Sequence, residues 1–560
     1  MIKKWFKSGD PMIWLNAAAV SSSLIIVIGL ISLIAVRGLS HFWPKPVMEA
    51  TYIAPSADQT NNQAKGIQVK LLGEIHDSET VSIESLKEMG LNIPSDKDWV
   101  NRSLIKTGNR DISGSDFKWA FDTFLNEVHY PTDVITLERR EWGNFYGYLN
   151  TIHENGKQVA GQDTAWQELQ IRLERTLDLH DDIRDIEKGA IGNINYQIER
   201  LRLKEHALKL DNVIDKAPYE EIYAQRKTLQ KSYEVLQKHL IALHNKIKRD
   251  SLVATTTNGK AITIPLENIV RTYRSNHLNI LQKIGLYFER LWEFVSDEPR
   301  EANTEGGIFP AIFGTVMMVI IMAMLVTPFG VIAAVYLHEY AKQGPLTRTI
   351  RIAVNNLAGV PSIVYGIFGL GFFVYFLGGN IDSLFYPEAS PAPVFGTPGI
   401  LWSSLTLAII TLPVVIVATE EGLSRIPRAI REGSLALGAT KAETLWRTVI
   451  PMATPAMMTG LILAVARAAG EVAPLMLVGV VKLAPSLALD ANSPFLHLER
   501  KFMHLGFHIY DVGFQSPNVE AARPLVYATA LLLVVIIVAL NLSAIYIRNY
   551  LREKYKAMDT

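Results

Sequence analysis

The chain has 560 residues, with 55 lysines and arginines against 55 aspartates and glutamates, and no cysteine. Balanced charge argues against a nucleic-acid binder, which carries a basic excess or stripe. The missing thiols exclude disulfides, thiolate metal sites and cysteine nucleophiles. A mean hydropathy of +0.15 in a chain that is 20% charged requires apolar and polar residues to be segregated along it.

A helix needs about 20 apolar residues to cross a bilayer core. Six such runs occur in chain order: 12–36, 307–337, 352–381, 398–419, 448–481 and 524–547. The first follows Lys3, Lys4 and Lys7 and leads into 37–46 without a small-residue cleavage site, so it reads as an uncleaved span rather than a signal peptide. Six spans place both termini on one side. Segments 1–11, 338–351, 420–447 and 548–560 hold 15 basic residues in 66, whereas 382–397 and 482–523 hold 4 in 58. The basic-rich set is expected in the cytoplasm. That puts residues 37–306 outside, in the periplasm if the membrane is an inner one.

The outer segment reads as an α+β domain of its own. Ile222, Leu229, Tyr233, Leu236, Leu240, Leu243 and Ile247 alternate steps of three and four, broken by Arg226. Ile191, Ile194, Ile198, Leu201 and Leu208 do the same around Glu205. With 211–218 as a turn, the pattern predicts a coiled-coil helical hairpin over about 165–249, with Gly189 and Gly192 as points of weakness in its first arm. Asn258-Gly259 among Thr and Ile predicts a β-hairpin over 251–266, and 66–75 reads as a strand. This domain carries no site constellation and reads as a structural spacer. Its rival role is the working end of a membrane-anchored scaffold or sensor.

Between the fourth and fifth spans, Gly433, Ser434, Ala436, Gly438 and Ala439 predict a helix–turn–helix with a small-residue surface suited to close docking, flanked by Arg425, Arg428, Arg431 and Glu432. Its alternative is an ordinary amphipathic connector. A Walker A loop is absent: in the nearest string, 433–440, Ala439 stands where the lysine is needed.

Arg467 and Glu471 lie inside an otherwise uncharged run. Each charge near mid-bilayer costs about 2.5–3.5 kcal/mol on insertion scales, so such residues are functional by default. Their i, i+4 spacing puts both on one helical face. A guanidinium matches an oxyanion in bidentate fashion, so Arg467 is the expected contact of a translocated anion and Glu471 its neutralising partner. The competing role is a structural ion pair. Asn356 and Ser362, beside Pro361, offer weaker donors, with helix capping as their plain alternative. His504 and His508 have ligand spacing, and His497 shares their loop, but without a thiol or carboxylate partner they predict no metal site.

The cytoplasmic loop resembles the EAA loop of permease subunits in ABC importers. Glu432, Gly438 and Pro451 fall on its spacing, with Gly433-Ser434 for Ala-Ala, Thr448 for Ile and Ile450 for Leu. Together with 356–366 (Asn-Leu-Ala-Gly-Val-Pro-Ser-Ile-Val-Tyr-Gly) and 466–475 (Ala-Arg-Ala-Ala-Gly-Glu-Val-Ala-Pro-Leu), the stretch 307–547 resembles the PstA-like permeases of the phosphate importer. The resemblance implies a type I importer permease fold, all-α in the membrane with six transmembrane helices. It implies coupling to an ATP-binding subunit dimer through Glu432, Gly433, Ser434, Gly438, Ala439 and Pro451. ATP-Mg would bind that partner and not this chain. A homologous second permease, an external phosphate-binding protein and membrane lipid complete the expected partners. It also places Arg467 and Glu471 in the phosphate path. Sulfate and molybdate permeases share the loop and remain alternatives, and the compact relatives lack the outer insert.

Overall fold

The computed structural model describes residues 10–53, 68–88, 98–516 and 519–556. Lys3, Lys4, Lys7 and the first two residues of the expected strand 66–75 lie outside them. The chain divides into two compact units: 1–41, 295–298 and 308–560 form one, and 42–294 with 299–307 the other.

Among the described residues of the first unit, six helices are long and apolar enough to cross a membrane: Met12–Ser40, Phe309–Tyr340, Ser362–Phe385, Ile400–Ser424, Lys441–Gly470 and Ala522–Glu553. The fourth is central and packs on both the second and the fifth. It buries hydroxyls as well as Leu407, Ile410 and Val415. Three of these hydroxyls bond to helix carbonyls: Thr406 donates to Trp402 O at 2.7 Å, Thr411 to Leu407 O at 2.9 Å and Ser404 to Met318 O at 3.2 Å. Small residues set the fourth–fifth spacing, since a Cβ at Gly460 would lie 2.6 Å from that of Ala418.

Two spans are shorter than their apolar runs. The run 352–381 is not one helix: Pro345–Leu357 forms a separate helix, and the span starts at Ser362. Pro361 lacks an N–H and disfavours helical backbone at Val360, so the chain breaks there. The run 448–481 likewise divides, its helix ending at Gly470 and a short helix, Leu475–Val478, following.

The second unit holds far more sheet than the small β elements expected. Strands β1 (Val47–Ile53), β2 (Gln68–Ser82), β3 (Trp99–Lys106), β4 (Phe117–Phe121) and β5 (Leu125–His129) form a sheet ordered β4-β3-β2-β1-β5. Strands β6 (Val134–Arg139), β7 (Phe145–Glu154), β8 (Lys157–Ala160), β9 (Asp250–Thr255), β10 (Ala261–Pro265) and β11 (Ile269–Tyr273) form another, ordered β10-β9-β7-β6-β11 with β8 on β7. The β9–β10 hairpin turns through Gly259 at φ +79°. The run of β2 hid its length because acidic residues interrupt it and its register on β3 shifts between Ile75 and Asp77.

Helix Ala165–Arg184 packs on the second sheet through Leu169 and Leu173. A π-helical stretch, Asp185–Ile191, separates it from Gly192–Leu210, at the glycines flagged in the sequence. Helix Ala217–Ile247 contacts this arm. Its least exposed residues follow the seam from Ile222 to Ile247. The two charges that interrupt the seams, Arg226 and Glu205, meet at 2.8 Å.

Candidate functional site

Arg467 sits in the last turn of the fifth span, where a cation complements the helix dipole. The pairing expected across one helical face is made differently. The helix ends at Gly470, and Glu471 takes extended backbone (φ −79°, ψ 131°), because Pro474 follows and Gly470 favours termination. Even so, Glu471 Oε1 lies 3.6 Å from Arg467 Nε. That distance is an ion pair rather than a hydrogen bond. The arginine side chain is 38% exposed and the glutamate 20%.

The break after Gly470 lies against the break before Ser362. Gly366 touches Pro474 so closely that a Cβ would fall 2.7 Å from the proline Cα. One residue earlier, the buried Tyr365 donates its hydroxyl to Leu357 O at 2.6 Å, which closes the end of the preceding helix. Tyr365 also lies within electrostatic reach of Arg467. The structure therefore joins Arg467, Glu471 and Tyr365 at two helix interruptions. Ser362 stands on the first turn of the helix that carries Tyr365. Asn356 is exposed near the end of the separate helix, its backbone carbonyl taken by Gly359 N at 3.0 Å. Among the described residues neither bonds to the ion pair. Sequence reading missed Tyr365, although it lies one turn after the proline break it stabilises.

In the loop between the fourth and fifth spans, helix Arg428–Ala436 turns through Gly438 at φ +89°. A Thr440–Glu443 capping box then starts the next helical turn, which leads to Pro451 in the first turn of Ile450–Gly470. Glu432 and Gly433 are exposed. Ser434 holds the two arms together through Thr444 Oγ1 at 2.9 Å, and Ala439 N donates to Ser434 O at 3.3 Å. Leu437, at the tip, is 91% exposed.

One arginine fastens the loop to the membrane helices. Arg431 donates to Leu423 O at 2.7 Å and Ile426 O at 2.9 Å, at the end of the fourth span. It also pairs with Glu339 at 3.0 Å, at the end of the second. Lys441 reaches Glu339 O at 2.5 Å and covers the Tyr340 ring.

The histidines serve the loop between the last two spans. His497 bridges Asp490 and Glu499, each at 3.1 Å. His504 accepts from Gly506 N at 3.1 Å, and burial pulls its imidazole down to about 4.

Residues 326–556 match the model of the binding-protein-dependent transport system inner membrane component family. The chain is 34% identical over 244 residues to phosphate transport system permease protein PstA 1 of Mycobacterium tuberculosis, covering 43% of this chain and 71% of that one. It is similar at 29% to the probable ABC transporter permease protein YqgI of Bacillus subtilis (48% and 86% covered). It is similar at 34% to phosphate transport system permease protein PstC of Mesorhizobium japonicum (32% and 58% covered). Six apolar helices among the described residues, together with these matches, define a multi-pass ABC importer permease. Within that class the chain belongs to the PstA-like permease family.

Proposed function

We propose that this chain carries inorganic phosphate across the inner membrane as one permease subunit of an ATP-driven importer. The observation that carries the reading is Arg467, a partly exposed guanidinium at a helix interruption in a PstA-like permease, paired only loosely with Glu471. An oxyanion would displace the carboxylate from the guanidinium and take its bidentate face. Glu471 would then re-form the pair and favour release.

The cytoplasmic loop, Glu432 to Ala439 with Pro451, would seat in the ATP-binding subunit dimer, which holds ATP-Mg. Movement there would reach the second and fourth spans through Arg431, alternating the path between outward- and inward-open states. A homologous second permease would complete the path, and an external phosphate-binding protein would deliver substrate, with residues 37–306 in the periplasm and both termini cytoplasmic. The PstA and PstC names of similar proteins support this set of partners.

Labelled phosphate uptake in cells deleted for the gene, with and without the chain restored, tests the reading alongside sulfate and molybdate. Loss confined to phosphate supports it. A defect in another oxyanion keeps the importer and discards phosphate. No uptake defect at all would favour the scaffold role of the outer domain.

A further inference from the structure

Helix Ile280–Ser296 lies outside the six spans, yet it is strongly amphipathic. One face is spent on the outer unit. Leu286 and Phe294 are buried, Arg290 bonds to Glu138, and Glu293 pairs with Arg271 at 2.9 Å and Arg300 at 2.7 Å. The opposite face carries Ile280, Ile284, Phe288 and Trp292 at steps of four, with Leu281 beside them. Leu281 is 76% exposed, Phe288 62% and Trp292 73%. Five large apolar side chains in one continuous stripe form a patch that water does not tolerate without a function.

Both ends of the helix's surroundings are tied to spans. The residue after Ser296 is Asp297, whose carbonyl accepts from Phe309 N, the first residue of the second span, at 3.1 Å. Phe42, two residues beyond the first span, packs on Phe294 with ring centroids 5.1 Å apart, and Trp43 packs on Tyr287 at 6.0 Å. Two residues of extended chain reach at most about 7 Å. The stripe therefore belongs to a helix tethered within a few residues of two spans, by chain connection at Asp297 and by packing on Phe42.

We infer that Ile280, Ile284, Phe288 and Trp292 lie in the outer lipid–water interface, so that the helix rests on the bilayer as an in-plane anchor for the outer domain. Tryptophan and phenylalanine beside apolar aliphatics, with charged residues confined to the other face, are the composition of such helices. The occupant is lipid rather than a protein partner because only residues 297–308 separate this helix from the second span, which tethers its apolar face near the membrane surface.

The chain contains no cysteine, so single cysteines label cleanly. Phe288→Cys and, separately, Leu281→Cys would carry a polarity-sensitive fluorophore in the full chain, reconstituted into phosphatidylethanolamine/phosphatidylglycerol nanodiscs. Val235→Cys, exposed on helix Ala217–Ile247, is the aqueous control. The expected result is blue-shifted emission at 281 and 288, quenched by lipids bearing a nitroxide just below the headgroup and protected from iodide. Emission like that of the control, open to iodide, overturns the inference. So does protection from iodide without lipid quenching, which would mean that protein covers the stripe.

Discussion

In the membrane unit, three ion pairs lie near the ends of spans: Arg431 with Glu339, Arg351 with Glu420 at 3.4 Å, and Arg467 with Glu471. In the second unit one set is drawn largely out of solvent: Glu138 takes both Arg290 and Arg271, and Arg271 goes on to the largely buried Glu293 and, at the surface, to Glu289. Burial works to raise the Glu138 carboxyl, but the two arginines outweigh it and hold it down at about 2. The difference follows from the solvent. Lipid offers no partner for a charge, so charges stay where backbone ends or open water can share them. A sheet domain can bury a charge when several opposite charges surround it, and breaking such a set is costly.

The comparison predicts that charge removal damages the two units in different ways. The largest effect expected is on stability, from Glu138→Gln: two guanidinium groups lose their shared partner, at a cost of about 3–5 kcal/mol. Proteolysis of the outer unit in the full chain should accelerate, while phosphate uptake at low temperature persists. The pH dependence has a definite sign. The folded Glu138 carboxyl sits at about 2 against an ordinary 4.5, so its contribution is complete above pH 4.5 and disappears as the pH falls toward 2. The variant should lack that part of the acid loss. Glu74 and Glu305 act in the opposite sense, since burial raises both carboxyls and their protonation favours the folded state as the pH falls.

In the membrane unit, Arg467→Gln should leave stability and complex assembly intact and lower phosphate uptake about 10- to 100-fold, the worth of one charge-assisted contact. Uptake at the wild-type rate would remove Arg467 from the path. Arg431→Gln should act at a third level. With the clamp on Leu423, Ile426 and Glu339 gone, the partner's ATP hydrolysis should continue while phosphate moved per ATP falls severalfold. A parallel loss of both activities would instead mean that the loop no longer docks.

The spans were legible because an uncharged run of membrane length is a signal in itself, and the intramembrane charges stood out against it. Pro361 and Pro474 mark interruptions in the sequence, but the helix ends at Leu357 and Gly470 were not legible, because apolar composition continues across them while the backbone does not. The i, i+4 spacing of Arg467 and Glu471 therefore suggested a helical face where the structure has a helix end. In the outer domain the three–four seam from Ile222 to Ile247 was readable because it is local. The sheets depend on pairings such as β1 with β5 and β6 with β11, between strands far apart in sequence, and no local pattern announces them.

Tyr365 gives the smallest and most discriminating effect. Its hydroxyl donates to Leu357 O across the Pro361 break, and its buried ring comes one residue before the Gly366–Pro474 contact. Tyr365→Phe keeps the ring and removes about 1 kcal/mol of hydrogen bonding. If the paired breaks position Arg467 for the anion, phosphate uptake should fall severalfold at unchanged thermal stability, chiefly through a weaker apparent affinity. If the tyrosine merely closes a helix end, the melting temperature should drop and uptake at low temperature should stay the same. Measuring both on one preparation separates a residue that shapes the anion path from one that only holds the membrane unit together.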